Sequence, residues 1–259
     1  MPSFTRRVRR KIANWAAPEL QAELRRARTE LSRARYDLPP EVEKAIRQAR
    51  TEHLTYLEPH NLRSLASVVA EADQALRPGL IIQAGAARGG SAIVMATAKA
   101  AIRPMKVYDV FGMIPPPGEH DGPDVHERYR TIAAGEAEGV GGETYYGYRD
   151  DLYQEVVESF SRLGVPAGVH NVELVRGLFE DTIELDQPVA VAHLDGDWYE
   201  STMTCLERIA PRLSPGGRIV LDDYYAWSGC RAAVDEYFAD RGGFRFEQRA
   251  RLHVVRESA

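Results

Sequence analysis

The sequence predicts an α/β protein built on a doubly wound, mostly parallel sheet, and three observations carry that prediction. Short apolar runs of strand length alternate with amphipathic stretches of helical length over most of the chain. Acidic residues gather directly after the apolar runs, where an open parallel sheet presents its carboxyl ends. The 259 residues, 44% hydrophobic, suffice for one large core with an appended segment.

Residues 1–53 differ from the remainder and read as an N-terminal helical extension. "APELQAELRRARTELSRARYDL" spaces Leu20, Leu24, Ala27, Leu31, Ala34 and Leu38 in steps of three and four, the narrow stripe of an amphipathic helix. Pro39-Pro40 ends it. Such a helix packs on the main domain, acts as a lid, or joins copies of a homo-oligomer. The basic run Arg6, Arg7, Arg9, Arg10 and Lys11 reads as solvated.

The main domain is expected over 54–259. "TEHLTYLEPHNLRSLASVVAEADQAL" reads as one or two helices, "GLIIQAG" as a buried strand, "GGSAIVMATAKAA" as a helix and "MKVYDVF" as a second strand. Residues 112–150 are polar and rich in Gly and Pro, too long for a connector, and read as a lid or binding loop that chooses substrate. "DDLYQEVVESFSRLGV" is a helix; "VELVRG" and "PVAVAHLD" are strands. "YESTMTCLERIAPRLSPGG" reads as a helix ending at Pro215-Gly216-Gly217. "RIVLDD" is a strand, "CRAAVDEYFADRG" a helix, and "RFEQRARLHVVRE" two final strands.

The bulk properties narrow the function. A net charge of −5 gives no reason to expect nucleic acid. Two separated cysteines, Cys205 and Cys230, fit a reducing cytoplasm better than a disulfide scaffold. No apolar run reaches membrane-spanning length, and the basic N-terminus lacks the apolar core of a secretory leader, so neither membrane nor export is expected.

Chemistry is sought at the strand tips. "QAGAARGGSA" follows the first strand, and Gly85, Gly89 and Gly90 either let a ligand approach the backbone or simply make a tight turn. This is not G-x-G-x-x-G, so a pyrophosphate grip is not indicated. Asp109 ends the second strand, where a carboxylate can accept both hydroxyls of a ribose or cap a turn. Together they point to an adenosine-bearing cofactor. In "RGLFEDTI" Phe179 could stack on an adenine, and Asp181-Thr182 could cap a helix or bind; the segment alone does not decide between them. The next strand ends in Asp195-Gly196-Asp197, and the one after in Asp222-Asp223. On neighbouring strands Asp195, Asp222 and Asp223 would converge, and three carboxylates do not ionise together cheaply without a cation. All-oxygen ligation suits Mg²⁺; the alternative is that these acids only terminate strands.

"HLDGDWYESTMTCLERIAPRLSPGGRIVLDDYYAWSGCRAAVDEYF" resembles the macrocin O-methyltransferase family almost throughout. "RGLFEDTI" resembles its "GWF-DTL" segment, "ARGGSA" its "WRGG" loop, and "LEPHNLRSLASVV" its first helix, so the likeness spans roughly residues 54–240. The chain departs from the family's "ETGVWRGG" at Gln83 and Ala87. The family comprises Mg²⁺- and S-adenosylmethionine-dependent enzymes that methylate sugars on macrolide and aminocoumarin antibiotics. The resemblance implies metal ligation by Asp195, Asp222 and Asp223, with Asp197 as base beside Asp195. It implies cofactor binding by Gly85, Arg88, Gly89, Gly90, Ser91, Asp109, Phe111, Gly177 and Phe179. The implied acceptor is a small-molecule glycoside or a sugar nucleotide. His193 and His120 stand as second-choice bases. Two other readings compete. His193, Asp195 and His253 could imitate the ligand set of a non-haem iron oxygenase, or the chain could bind S-adenosylmethionine without turnover.

Overall fold

In a computed structural model the described residues are Leu24, Ala27, Arg28, Leu31 and 36–258. The chain divides into two units, residues 1–37 and 38–259. The expected N-terminal stripe and basic run lie almost wholly outside the described residues. The elements of the second unit are α1 (Pro40–Thr51), α2 (Pro59–Gln74), β1 (Leu80–Ala84), α3 (Gly90–Ala98), β2 (Met105–Asp109), α4 (Pro123–Ala133), α5 (Leu152–Arg162), β3 (Val172–Arg176), α6 (Phe179–Thr182), β4 (Val189–Leu194), α7 (Tyr199–Ile209), β5 (Leu213–Leu221), α8 (Ser228–Phe238), β6 (Phe244–Gln248) and β7 (Leu252–Arg256).

The unit begins at Leu38 rather than at residue 54. The reason lies in α1, which repeats apolar residues at Val42, Ala45, Ile46 and Ala49 and buries them against Leu62 and Ala66 of α2 and Val94 of α3. Arg63, itself buried, adds a two-pronged pair to Glu43 at 2.6 and 2.7 Å.

The strands form one sheet in the order β3-β2-β1-β4-β5-β7-β6. β1 to β5 run parallel, and β7 pairs antiparallel with both β5 and β6. Because helices cover both faces, the central strands are apolar on both sides: Ile81, Val107, Val191 and Val220 meet α2, α3 and α5, while Ile82, Tyr108, Ala192 and Ile219 meet α7 and α8. The sequence reading placed Pro215-Gly216-Gly217 at a helix end. Instead α7 stops at Ile209, and β5 starts at Leu213 and runs through the glycines. The register break between Val189 and Val191 absorbs the extra residues.

Segment 112–150 is not the irregular loop its composition predicted. It holds α4, opened by Pro123 in its first turn, and a small core of its own. Ile114, Val125, Ile132 and Tyr145 pack there around Trp198. Two acids fix its start: Asp121 Oδ1 accepts from Tyr199 N at 2.9 Å, and Asp124 Oδ2 from Ser228 N at 3.0 Å. Each carboxylate thereby satisfies an unpaired N–H in the first turn of α7 or α8. Glu143 fixes its end, accepting from Arg88 Nη1 at 2.5 Å and Arg149 Nη2 at 3.1 Å, with His53 Nδ1 at 3.0 Å.

Candidate active site

The strand tips converge because the parallel ladder runs one residue past each strand. Asp195 N donates to Ala84 O and Asp222 N to Leu194 O, both at 2.9 Å, which sets the ends of β1, β4 and β5 side by side. Only a glycine permits this at position 85. Its φ is +84°, and a Cβ there would lie 1.8 Å from the Asp195 carbonyl oxygen.

Asp109 lies at the tip of β2, as expected, but its carboxylate is engaged. Oδ2 accepts from Ala86 N at 2.6 Å and Ala87 N at 3.0 Å, and Oδ1 from Phe111 N at 2.6 Å. It therefore pins the glycine turn. Burial keeps its carboxyl above the ordinary pKa despite the three amides.

Two adjoining cavities open above the tips. The larger, about 250 Å³, is lined by Gly85, Ser91, Arg128, Tyr56, Tyr145, Tyr146, Trp227 and the acids Asp195, Asp197, Asp222 and Asp223. The smaller, about 160 Å³, is lined by Asp109, Ile114, Leu178, Phe179 and Ser201. Asp195, Asp197, Trp198 and Tyr146 line both.

Asp195, Asp197 and Asp223 each bring a carboxylate oxygen within 4.8 Å of the others. Asp197 has a left-handed backbone, φ +58°, and its N–H donates to Asp223 Oδ2 at 3.1 Å. Burial and the charges of nearby carboxylates raise all three carboxyls. Burial and the charges of Asp222, Asp223 and Asp197 push Asp195 well up; burial, Asp197 and Asp222 do the same to Asp223. Asp197 is raised to about 6, chiefly by burial, against the pull of a hydrogen bond from Trp227.

Asp222 departs from the expected metal-binding set, in which Asp197 stands instead. It accepts from Arg251 at 2.8 and 3.2 Å and lies 3.5 Å from His193 Nε2. Burial opposes its charge, but His193 and Arg251 hold its pKa below the ordinary value. His193 Nδ1 in turn donates to Gln83 Oε1 at 3.0 Å, and Gln83 Nε2 donates to Gly85 O at 2.6 Å. Thus Gln83, which replaces an acid, ties the glycine turn to the centre of the sheet.

The remaining expected residues divide. Gly85, Ser91, Asp109 and Phe179 line a cavity. Arg88 does not; it reaches His53 O and Glu143. Gly89 packs on Val156, and Gly90 sits against Leu54 O, so both serve close packing. Phe111 is buried in the core, edge-on to Tyr153. Gly177, at φ +150°, donates its N–H to Asp109 O and supports the tip of β2. The iron-oxygenase set does not assemble. His193 is committed to the sheet, both ring nitrogens of the buried His253 lack a partner, and among the described residues neither histidine joins Asp195 in a group able to hold a metal. His120 is exposed, paired with Glu200 at 3.0 Å, and lines neither cavity. The sequence reading passed over Arg128, Tyr145 and Tyr146, although paired tyrosines in a polar segment are a signal, and over Trp198, which directly follows Asp197.

Residues 53–243 match the family model described as macrocin O-methyltransferase (TylF). The chain belongs to that family. Among curated proteins it is 36% identical over 166 residues to an 8-demethyl-8-(2,3-dimethoxy-alpha-L-rhamnosyl)-tetracenomycin-C 4'-O-methyltransferase of Streptomyces olivaceus, covering 62% of this chain and 58% of that one. It is 33% identical over 175 residues to demethyldecarbamoylnovobiocin O-methyltransferase of Streptomyces niveus, covering 62% and 59%. The chain thus spans under two thirds of the length of these relatives. Among solved structures, the O-methyltransferase NovP superposes with a TM-score of 0.66 at 23% identity over 82% of this chain and 88% of that one. The calicheamicin methyltransferase CalS11 gives 0.59 at 17% over 94% of each. The fold of this family member is that of the class I S-adenosylmethionine-dependent methyltransferases. No helix among the described residues is long and apolar enough to cross a membrane.

Proposed function

We propose that this protein transfers a methyl group from S-adenosylmethionine to a hydroxyl of a sugar, in the biosynthesis of an antibiotic or related natural product. The observation that carries the reading is that two cavities, one suited to a nucleoside and one to a small polar acceptor, meet at Asp195 and Asp197. The family relation and the names of the relatives support it.

The smaller cavity would take the adenosine, with Phe179 against the base and Asp109 beside the ribose. The glycine turn, fixed by Asp109 and Gln83, would hold the methionyl part. The larger cavity would take the acceptor. Its tyrosine and tryptophan faces match the C–H face of a sugar, and its acids match the hydroxyls. Methyl transfer is an in-line displacement, so the enzyme must aim the oxygen at the methyl carbon and remove its proton. Asp197, its carboxyl raised to about 6 chiefly by burial, lies where the two cavities meet and takes the proton. Its left-handed backbone and the Trp227 hydrogen bond hold the carboxylate in place. Segment 112–150, anchored at both ends, excludes water.

The cluster fits the expected Mg²⁺: the donors are acceptor-only oxygens, close together, and no ion pair from the described residues reaches any of the three. Asp195 and Asp223 would hold the ion, which when bound acidifies a coordinated hydroxyl.

The test is calorimetry with S-adenosylhomocysteine, followed by transfer of labelled methyl to a panel of glycosides and sugar nucleotides. Binding is expected, with label transfer abolished by chelation and restored by Mg²⁺. Absence of S-adenosylhomocysteine binding would end the reading.

A further inference from the structure

We propose that Arg128 is an anion anchor in the larger cavity, so that the acceptor sugar carries a phosphoryl or carboxylate group. The inference rests on the methyl-transfer reading and narrows its substrate.

Arg128 lies on α4, one turn before Ile132, and both line the cavity. It is the one cationic side chain among the described residues that do so. The other arginines around the site are engaged: Arg251 by Asp222, and Arg88 and Arg149 by Glu143. Arg128 has no carboxylate within ion-pair distance among the described residues. Its guanidinium lies over the Tyr145 ring, 5.8 Å from the centroid, which leaves its edge donors free. A half-buried guanidinium has lost part of its hydration, and its planar fork matches the two oxygens of a carboxylate or phosphate. The helix that presents it is fixed at its start by Asp121 and Asp124, so the fork is preorganised.

The experiment uses protein loaded with S-adenosylhomocysteine and Mg²⁺, as wild type, Arg128→Lys and Arg128→Met. Tryptophan fluorescence, reporting through Trp198 and Trp227 in the cavity wall, reads the binding of methyl phosphate, acetate and methyl glucoside. At least one anion is expected to bind wild type more tightly than the glucoside, to weaken about tenfold or more in Arg128→Met, and to recover in part in Arg128→Lys. S-adenosylhomocysteine affinity should stay within about twofold throughout, which a misfolded variant would not allow. Tighter methyl phosphate identifies a nucleotide-activated sugar; tighter acetate identifies a uronic acid. The proposal is overturned if neither anion outbinds the glucoside, or if Arg128→Met binds both as wild type does. Failure of S-adenosylhomocysteine to bind wild type overturns the methyl-transfer reading, and this proposal with it.

Discussion

At the β6–β7 hairpin, Glu247 accepts from Arg249 at 2.5 Å, Arg218 at 2.8 Å and Arg245 at 3.0 Å, and Glu71 reaches Arg249 at 2.7 Å. At the tips of β4 and β5, Asp195, Asp197 and Asp223 crowd together with no such partner among the described residues. The first arrangement holds Glu247 down to about 2; the second raises Asp197 to about 6. Burial opposes the charge in both places, so the supply of cations makes the difference. Where the protein provides the cation, the acid fastens a hairpin. Where no guanidinium pairs with them directly, burial and like charges keep the carboxyls above their ordinary pKa. Asp222 stands between the two: it adjoins the cluster but is matched by Arg251.

Four substitutions break or sharpen this contrast. Asp197→Asn, which removes the proposed proton acceptor from the cluster, should lower turnover by about a hundredfold or more while S-adenosylhomocysteine still binds, as labelled-methyl transfer and calorimetry would show. Arg251→Leu turns a matched acid into an unmatched one. Urea unfolding should show a loss of about 2–3 kcal/mol, less than for a fully buried pair because Arg251 is partly exposed, with much of it regained in Arg251→Leu/Asp222→Asn. Glu247→Gln should cost about 1 kcal/mol at neutral pH, since solvent screens the hairpin. Its pH dependence has a definite sign. The folded pKa lies below the ordinary 4.5, so the stabilisation is complete above about pH 4.5 and fades as pH falls towards 2. The Tm gap between wild type and Glu247→Gln should close over that window. His120→Ala removes an exposed pair with Glu200 and a stacking contact with Tyr199, so it should lower Tm slightly and leave turnover unchanged.

The strand tips were legible in the sequence because a parallel sheet announces itself by alternation and must end each buried strand in polar residues. That placed Gly85, Asp109, Asp195, Asp197, Asp222 and Asp223 at one edge before any coordinates. The partner of Asp222 was not legible. Arg251 lies 29 residues further along the chain and meets Asp222 only because β7 turns back antiparallel beside β5. Helix α1 was assigned to the extension because its apolar spacing names a buried face without naming what buries it. Arg128 was hidden for a related reason: in a polar segment, an arginine that looks outward reads the same as one that looks into a cavity.

Gln83, His193, Asp222 and Arg251 form a cross-tie of side chains from β1 through β4 and β5 to the start of β7. The turn expected to cradle the methyl donor is thereby moored to the last strand of the chain. Trimming the carboxyl terminus before Arg251 would therefore do more than shorten the sheet: it would slacken a loop more than 160 positions upstream.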